Sequence, residues 1–281
     1  MPSLQATNFN LATALESGQL FRYWPHDGGY VIGQREKLFF IRQDHEHLEV
    51  EGCSKEFVRS FFRLDDPLDS ILKPYRADPV LRPAIASCTG LRILAQDPFE
   101  CLIGFMCSSA SNIPKIKRNM NQMARSFGQL ASIKGFETHT FPGPGDIHDL
   151  AKISASGTGY RAPFIHAANE MVTDQWLSSL STLPYTKAKE NLMTIPGVGS
   201  KIADCVLLFS LGFNQAFPVD VWIERAVHEL YPYTKRLSQS KLEGYCRKRF
   251  GNNAGYVQQY LYHWKRTGGL RLHPKINRRN I

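Results

Sequence analysis

Short runs of β-branched and aromatic residues alternate with turn residues in the first part of the chain. The runs occupy residues 30–32, 38–41 and 48–50, and glycines or charged residues separate them. Such runs, bounded by turn residues, are typical of short strands. The pattern therefore predicts a small antiparallel β-sheet domain, which we place over residues 1–90.

From about residue 80 the hydrophobic positions recur almost entirely at helical spacing. Residues 91–96 and 98–109 suggest a buried helix, and 113–128 predicts an amphipathic helix with a basic face that stops at a glycine. We expect an α+β protein in which the sheet domain precedes a mostly α-helical body over residues 91–281. A loop is expected at 141–146, followed by short helices at 147–153, 162–173, 175–180 and 185–194.

The charge balance of the chain favours a polyanionic partner. Its 281 residues carry a net charge of +9, and the sequence pI is about 9.3. Nucleic acid and anionic membranes both attract basic proteins, and simple solubility is a further reason for such a charge. No apolar stretch approaches the length that spans a bilayer, and the first residues lack the pattern of a secretory signal.

The six cysteines are scattered along the chain. No two of them have the CxxC spacing that zinc sites and iron–sulfur clusters commonly use. We therefore expect reduced thiols and no metal site.

The segment 191–205, NLMTIPGVGSKIADC, is the most informative stretch of the sequence. It predicts a helix-hairpin-helix near residues 185–211, with a tight PGVG turn and a second helix that begins near Ser200. Glycines permit positive φ, and the free amides and dipole of a helix N-terminus favour an anion. The turn is therefore either a phosphate clamp, which recognises no base sequence, or an ordinary hairpin between packed helices.

Lys201 falls in the first turn of the second predicted helix, where the helix dipole disfavours a positive charge. This position favours the neutral amine, which is the form that can attack C1′ of a sugar. Asp220 precedes a further helical segment and is either a helix N-cap or a carboxylate that stabilises positive charge on that sugar. Spacing alone leaves both interpretations of this pair open.

Three motifs together resemble the helix-hairpin-helix, Gly/Pro-rich loop and aspartate signature of DNA glycosylases: IPGVGSK, IADC and FPVD, the last ending at Asp220. In that superfamily a lysine at the position of Lys201 marks the bifunctional members, which are glycosylase and AP lyase together. The endonuclease III branch usually adds four clustered C-terminal cysteines, whereas this chain has only Cys246 there. The resemblance extends from about residue 8 to residue 264 and is closest to the 8-oxoguanine DNA glycosylase family.

The resemblance implies which residues surround the damaged base. SGQLFR is similar to that family's SGQxFR, so the Gly18 carbonyl would accept the extra N7 proton of 8-oxoguanine, which guanine lacks. AGYVQQYLY is similar to AGWAQxxLF, so Gln258 would bind the Watson–Crick edge and Tyr262 would stack on one face, opposite Cys205. A helix-ending turn and an ordinary core helix are the structural alternatives for these two segments. The expected base-recognition residues are Gly18, Cys205, Phe209, Gln258 and Tyr262.

A second group of residues is expected to contact the DNA itself. GTGYRA is similar to the family's GLGYRA, which implies that Tyr160 wedges into the base stack and Arg161 faces the estranged cytosine. A buried tyrosine and a solvated arginine are the alternatives. The backbone amides expected to bind the DNA phosphate are those of Gly197, Gly199 and Ile202.

The residues that would face the opposite strand depart from the family pattern. SSASNIPK replaces SSNNNIAR, so the asparagine that fills the gap left by the flipped base is Ala110, while Asn112 is retained. The arginine that reads the opposite cytosine is Lys115, which cannot form a bidentate pair, so weaker opposite-base discrimination is expected. The histidine two residues after the catalytic aspartate is Trp222, which offers one neutral donor.

The resemblance implies a bifunctional DNA glycosylase/AP lyase that removes 8-oxoguanine by base flipping and Schiff-base chemistry on Lys201, assisted by Asp220. Two alternatives remain: a monofunctional glycosylase for alkylated bases, and a non-catalytic DNA-binding module. We expect a monomer that binds double-stranded DNA with a damaged base, with no cofactor and no membrane partner. It would be cytoplasmic and nucleoid-associated in a prokaryote, or nuclear in a eukaryote. The basic segment 271–281 is expected to be a frayed or phosphate-facing tail.

Overall fold

A computed structural model of the chain describes residues 3–269. The predicted basic tail at 271–281 lies outside the described residues. The described part begins with a β-sheet and continues as a mostly helical body, which confirms the predicted α+β fold.

The N-terminal sheet has five antiparallel strands in the order β1-β5-β4-β3-β2. Its register pairs Val31 with Phe40 and Ile32 with Phe39, so the apolar runs of the sequence lie side by side. The three predicted strands are present, and two edge strands join them. The strands are β1 (Ser3–Gln5), β2 (Tyr23–His26), β3 (Gly29–Gln34), β4 (Lys37–Asp44) and β5 (His47–Glu51).

The helices follow the predicted spacing in most places, and the amphipathic helix is confirmed at Ile113–Phe127. A kinked segment at Ser154–Thr158 and four short 3₁₀ turns connect some of them. The helices are α1 (Leu11–Glu16), α2 (Lys55–Phe61), α3 (Leu68–Ala77), α4 (Arg82–Ser87), α5 (Pro98–Met106), α6 (Ile113–Phe127), α7 (Leu150–Ile153), α8 (Ala162–Met171), α9 (Asp174–Ser179), α10 (Tyr185–Leu192), α11 (Ser200–Phe209), α12 (Val221–Leu230), α13 (Gln239–Phe250) and α14 (Ala254–Arg266).

The helix suggested at 91–96 is wrong, because this segment has no regular secondary structure and is mostly buried. Its amides bond to distant partners: Leu94 N donates to Gln19 Oε1 at 2.9 Å, and Gln96 N donates to the Phe209 carbonyl at 2.8 Å. These tertiary bonds replace the bonds that a helix would form. The helix expected over 98–109 ends earlier, at Met106.

A two-stranded hairpin interrupts the region that was expected to be almost entirely helical. Strands β6 (Leu130–Ile133) and β7 (Phe136–His139) are joined by Lys134 and Gly135, both with positive φ. Two positive φ values in a two-residue loop are typical of tight hairpin turns. The hairpin packs on the N-terminal sheet, where the rings of Trp24 and Phe136 lie 5.2 Å apart.

Two apolar clusters hold the described residues together. One lies under the N-terminal sheet and draws mainly on residues 4–64, with Leu94. The other fills the helical body and includes apolar side chains from α3 and α4 onward, with Phe21 from the N-terminal region. The boundary near residue 90 stays a prediction. Helix α11 runs through the larger cluster, and every side chain from Ile202 to Phe209 is buried.

None of the helices in residues 3–269 is both long enough and apolar enough to cross a membrane. All six cysteines are free, and five of them are buried. Within the same residues, no group of three or more His, Cys, Asp or Glu side chains is arranged to hold a metal ion.

Candidate active site

An open cavity of about 630 Å³ lies between two helix faces of the body. Helix α11 forms one wall and helix α14 forms another, while the turn after α1 and the loop between α5 and α6 close the sides. The catalytic and base-recognition residues expected from the sequence all line it, namely Gly18, Lys201, Cys205, Phe209, Asp220, Gln258 and Tyr262.

The α11 wall is a stripe of residues spaced four apart. Lys201, Cys205 and Phe209 therefore lie on one face of the helix. Burial raises the pKa of the Cys205 thiol to about 12, so this side chain is neutral and apolar near neutral pH. Phe209 stacks on Phe105 with ring centroids 5.5 Å apart, and this pair forms an apolar floor.

The amine of Lys201 lies at the cavity wall. Nζ donates a hydrogen bond to Ser108 Oγ at 2.7 Å and lies 5.2 Å from the centroid of the Phe105 ring. Within residues 3–269, Lys201 forms no ion pair with an Asp or Glu side chain. The amine is thus held by a neutral acceptor beside apolar rings.

Asp220 is the N-cap of α12, as one of its two interpretations predicted. Its Oδ1 accepts a hydrogen bond from the Ile223 amide at 2.8 Å. Burial raises the pKa of the Asp220 carboxyl, while that amide bond and the charge of Lys201 act in the opposite direction. Asp220 also lines the cavity, so capping and catalysis are compatible roles.

The turn that carries Gly18 ends α1 and is fixed from several sides. Gly18 has φ +81°, and a Cβ there would lie 2.9 Å from Cε1 of Tyr262. Gln259 Nε2 donates to the Ser17 carbonyl at 2.8 Å, which ties the turn to α14. Gln19 Nε2 donates to the Arg92 carbonyl at 2.9 Å. The SGQ segment is both the predicted helix-ending turn and part of the cavity wall.

Gln258, in the α14 wall, has a buried acceptor that lacks a partner within residues 3–269. Its Nε2 donates to the Pro218 carbonyl at 3.2 Å, whereas its Oε1 has no hydrogen-bond partner in the described part of the chain. The side chain is buried, and a buried unpaired acceptor is costly unless a ligand completes it. Tyr262 follows one turn later, and burial together with the charge of Asp220 raises its pKa to about 12.

The helix-hairpin-helix is confirmed as α10, a turn and α11. Gly197 has φ +81°, and a Cβ there would lie 2.8 Å from the Phe164 side chain, whereas a Cβ at Gly199 would meet nothing within 4 Å. The amides of Gly197, Gly199 and Ile202 have no acceptor among residues 3–269. Three unpaired donors at one helix start are suited to bind an anion such as a DNA phosphate.

Tyr160 and Arg161 differ in their exposure. Tyr160 is 62% exposed, as a wedge requires, but Arg161 is only 4% exposed. The Arg161 guanidinium donates to the carbonyls of Ser109 and Ala110. The expected role of Arg161 opposite the cytosine stays a prediction, whereas the solvated alternative is wrong, because the loop carbonyls bind its donors.

The loop before α6 holds the residues expected to face the opposite strand. Asn112 is the N-cap of α6, and its Oδ1 accepts from the Lys115 amide at 3.0 Å. Ala110 is exposed and has φ +45°, a left-handed conformation that is unfavourable for alanine. Trp222, in the first turn of α12, is 41% exposed at the edge of the cavity.

Among the cavity-lining residues that sequence reasoning missed, three make contacts that bear on the site. Ser108 contacts the Lys201 amine, Phe105 forms its floor, and Arg266 donates to the Glu16 carbonyl beside the Gly18 turn. Arg266 could have been found, because it follows Tyr262 by one helical turn on the same face. Ser108 is the first residue of SSASNIPK, which matches the family pattern at that position, but its contact with Lys201 depends on how two helices far apart in the chain pack.

A largely buried polar network links the two helices of the helix-hairpin-helix to α13. Lys189 Nζ lies 2.9 Å from Asp204 Oδ2 and 2.6 Å from Glu243 Oε1, so one ammonium bridges two carboxylates. The Tyr185 hydroxyl donates to Asp204 at 2.6 Å, and the Ser200 hydroxyl donates to Glu243 at 2.6 Å. Burial raises the pKa of Asp204 to about 6. The network joins α10, α11 and α13, and one of its members, Ser200, directly precedes Lys201 in the chain.

Comparisons with known proteins agree with this geometry. A model of the 8-oxoguanine DNA glycosylase N-terminal domain matches residues 3–102. The chain is 34% identical to N-glycosylase/DNA lyase OGG1 of Arabidopsis thaliana, over 92% of this chain and 78% of that protein. It is 33% identical to a probable N-glycosylase/DNA lyase of Methanothermobacter thermautotrophicus, over 69% of each chain.

The fold is likewise similar to a solved protein–DNA complex. The Clostridium acetobutylicum 8-oxoguanine glycosylase/lyase, in complex with double-stranded DNA containing cytosine opposite to 8-oxoG, matches with a TM-score of 0.88. The identity is 29%, and the match covers 94% of this chain and 93% of that chain. The sequence, the sheet and the helix-hairpin-helix therefore agree: this chain belongs to the 8-oxoguanine DNA glycosylase family.

Proposed function

We infer that this chain is a bifunctional DNA glycosylase and AP lyase that removes 8-oxoguanine from duplex DNA. The observation that carries this inference is the position of the Lys201 amine at the wall of an open cavity that Asp220 also lines. A nucleophile and a carboxylate in one concave, largely apolar site are what sugar chemistry at C1′ requires. A hairpin that only binds phosphate needs neither a nucleophile nor a carboxylate in such a cavity.

The reaction proceeds on a nucleotide that has been flipped out of the duplex. Lys201 Nζ attacks C1′, the bond from C1′ to the base nitrogen breaks, and the base leaves with the bonding electrons and takes up a proton. The amine then forms a Schiff base with the opened sugar. Loss of a C2′ proton expels the 3′ phosphate. The Asp220 carboxylate stabilises the positive charge that develops on the sugar.

Recognition of the base rests on three groups around the cavity. The Gln258 Oε1 acceptor, unpaired within residues 3–269, accepts from the N–H groups on the Watson–Crick edge of the base. Tyr262 supplies a flat ring for stacking, and the Gly18 carbonyl accepts the N7 proton of 8-oxoguanine. Guanine carries a bare acceptor at N7 and would oppose that carbonyl.

The duplex is held by groups that surround the cavity mouth. The free amides of Gly197, Gly199 and Ile202 bind a phosphate of the damaged strand, and Tyr160 supports the gap in the base stack. We propose that the protein acts as a monomer. Its location is then that of the DNA: the nucleoid in a prokaryote or the nucleus in a eukaryote.

Release of 8-oxoguanine from a defined duplex, under single turnover with enzyme in excess, tests this function. Asp220→Asn is the informative variant, because asparagine keeps the helix cap but removes the charge. We expect the wild type to release the base and the variant to slow by about a hundredfold or more. No release by the folded wild type, or equal rates for both proteins, would overturn the proposal.

The same assay separates the two alternatives. A monofunctional glycosylase would release the base with Lys201→Gln at the wild-type rate and would leave the sugar–phosphate backbone intact. A non-catalytic DNA-binding module would bind the duplex in a salt-sensitive manner and release no base.

A further inference from the structure

The Ser108 hydroxyl links the end of α5 to the lysine on α11. Its Oγ donates to the Phe105 carbonyl at 2.6 Å, and the same oxygen lies 2.7 Å from Lys201 Nζ. A serine has one hydroxyl proton and two acceptor lone pairs. Because the carbonyl takes the proton, Ser108 is an acceptor toward Lys201, and the amine donates one of its N–H bonds to it.

We propose that Ser108 is a positioning residue for the nucleophile, which holds the Lys201 amine at the cavity wall. This inference rests on the proposed function, since it concerns the same amine and the same attack on C1′. With one N–H bond directed at Ser108, the amine loses most of its freedom to rotate away. Fixing a nucleophile in its reactive position raises the rate of attack without strengthening substrate binding.

The chemistry of the partner suits this task. A carboxylate at the position of Ser108 would favour the charged ammonium, which has no lone pair for attack. A hydroxyl fixes the nitrogen with a weaker preference for the charged form. Since Lys201 has no carboxylate partner within residues 3–269, Ser108 is the polar group that sets its position there.

The surroundings keep Ser108 itself in place. Its loop lies against Arg161, which donates to the carbonyls of Ser109 and Ala110 and is buried there. On the other side, the Lys201 amine lies 5.2 Å from the centroid of the Phe105 ring, on which Phe209 stacks. The loop and the ring pair border the amine, and the Ser108 hydroxyl ties it to that wall of the open cavity.

Single-turnover release of 8-oxoguanine by Ser108→Ala, Ser108→Thr and Ser181→Ala tests the proposal. Ser181 is the matched control, because its hydroxyl also bonds to the carbonyl three residues earlier, at 2.7 Å, but on an exposed surface. We expect Ser108→Ala to slow release by about tenfold to a hundredfold. Duplex affinity should stay within about twofold of wild type, and Ser108→Thr should recover most of the rate.

The outcomes separate this inference from the function on which it rests. If the wild type releases base and Ser108→Ala matches it, Ser108 does not position the amine, although the function stands. If rate and duplex affinity fall together, or Ser108→Thr fails to recover the rate while its melting temperature equals that of the wild type, the positioning role is wrong. If the wild type releases no base, the proposed function itself fails.

Discussion

Gly18 and Tyr262 are in direct contact at the wall of the cavity, and the contact leaves no space for a side chain at Gly18. A Cβ at this position would lie 2.9 Å from Cε1 and 3.1 Å from the hydroxyl oxygen of Tyr262. The backbone there also has φ +81°, which L side chains rarely adopt. The expected N7 acceptor and the expected stacking ring therefore depend on each other for their positions.

Replacing Gly18 by alanine should impair catalysis more than stability alone explains. The strained backbone costs about 1–3 kcal/mol, and the new methyl group also displaces Tyr262. Gly212→Ala is the matched control, because Gly212 has φ +82° with nothing within 4 Å of its Cβ position. We expect both variants to melt earlier and only Gly18→Ala to lose base release by tenfold or more, about the effect of 1.4 kcal/mol. Equal single-turnover rates for the two folded variants would contradict this.

Much of the cavity could be predicted from sequence because its walls are helical stripes. Lys201, Cys205 and Phe209, or Gln258 and Tyr262, share a face by spacing once the helix is recognised. These residues were identified through motifs that the family shares. That the two faces share one cavity follows from how α11 and α14 pack on their neighbours, α11 on α5 and α14 on α12.

The predictions that failed concern segments whose partners lie far away in the chain. Residues 91–96 are rich in apolar side chains and could form a helix, but Gln19 and Phe209 accept hydrogen bonds from their backbone amides instead. The solvated alternative for Arg161 also failed, because carbonyls of a loop far away in the chain bind its guanidinium. The local sequence pattern does not indicate contacts between residues that are far apart in the chain. The hydrogen bond between Ser108 and Lys201 could not be predicted for the same reason.

Ala110 should be stabilised by asparagine, the residue that the family pattern has at this position. Asparagine tolerates the left-handed conformation that Ala110 adopts at φ +45°. We expect Ala110→Asn to raise the free energy of unfolding by about 0.5–1 kcal/mol. The same change at the exposed helical residue Ala151 should lower it by about 0.5 kcal/mol. Urea unfolding measures the free energy of unfolding of both variants. A lower free energy of unfolding for Ala110→Asn than for the wild type would contradict the claim that the left-handed backbone at Ala110 is strained.

Lys115 should limit how well the enzyme distinguishes the base opposite the lesion. We expect wild-type rates opposite cytosine and opposite adenine to differ only modestly, because lysine cannot pair with a base edge in a bidentate manner. Lys115→Arg should raise the preference for cytosine by about 1–3 kcal/mol, while Lys73→Arg, at an exposed position of α3, should not. Single-turnover rates on the two duplexes measure this. A strong cytosine preference in the wild type would assign discrimination to other residues.

The buried Asp204 should make stability depend on pH between about 4 and 6. Burial raises its pKa in the folded state to about 6 from an unfolded value of 3.8. A raised pKa means that the stability contributed by this carboxyl is fully present below the unfolded value and is lost as pH rises through the folded value. Relative to Asp204→Asn, the wild type should therefore lose on the order of 3 kcal/mol over this window and stay constant above it.

Urea unfolding of both proteins at several pH values checks the sign of this effect. A difference that stays constant from pH 4 to 7 would show that Asp204 titrates normally. A difference that grows in favour of the wild type would mean that the Lys189 ion pair outweighs burial.

Trapping with borohydride tests the central claim most directly. The wild type is incubated with an 8-oxoguanine duplex and borohydride, beside Lys201→Gln and the surface control Lys73→Gln, and the trapped peptide is identified by mass spectrometry. We predict a covalent adduct on Lys201 in the wild type and in Lys73→Gln, and none in Lys201→Gln. A wild type that releases base but traps no DNA, or an adduct that persists in Lys201→Gln, would contradict the account.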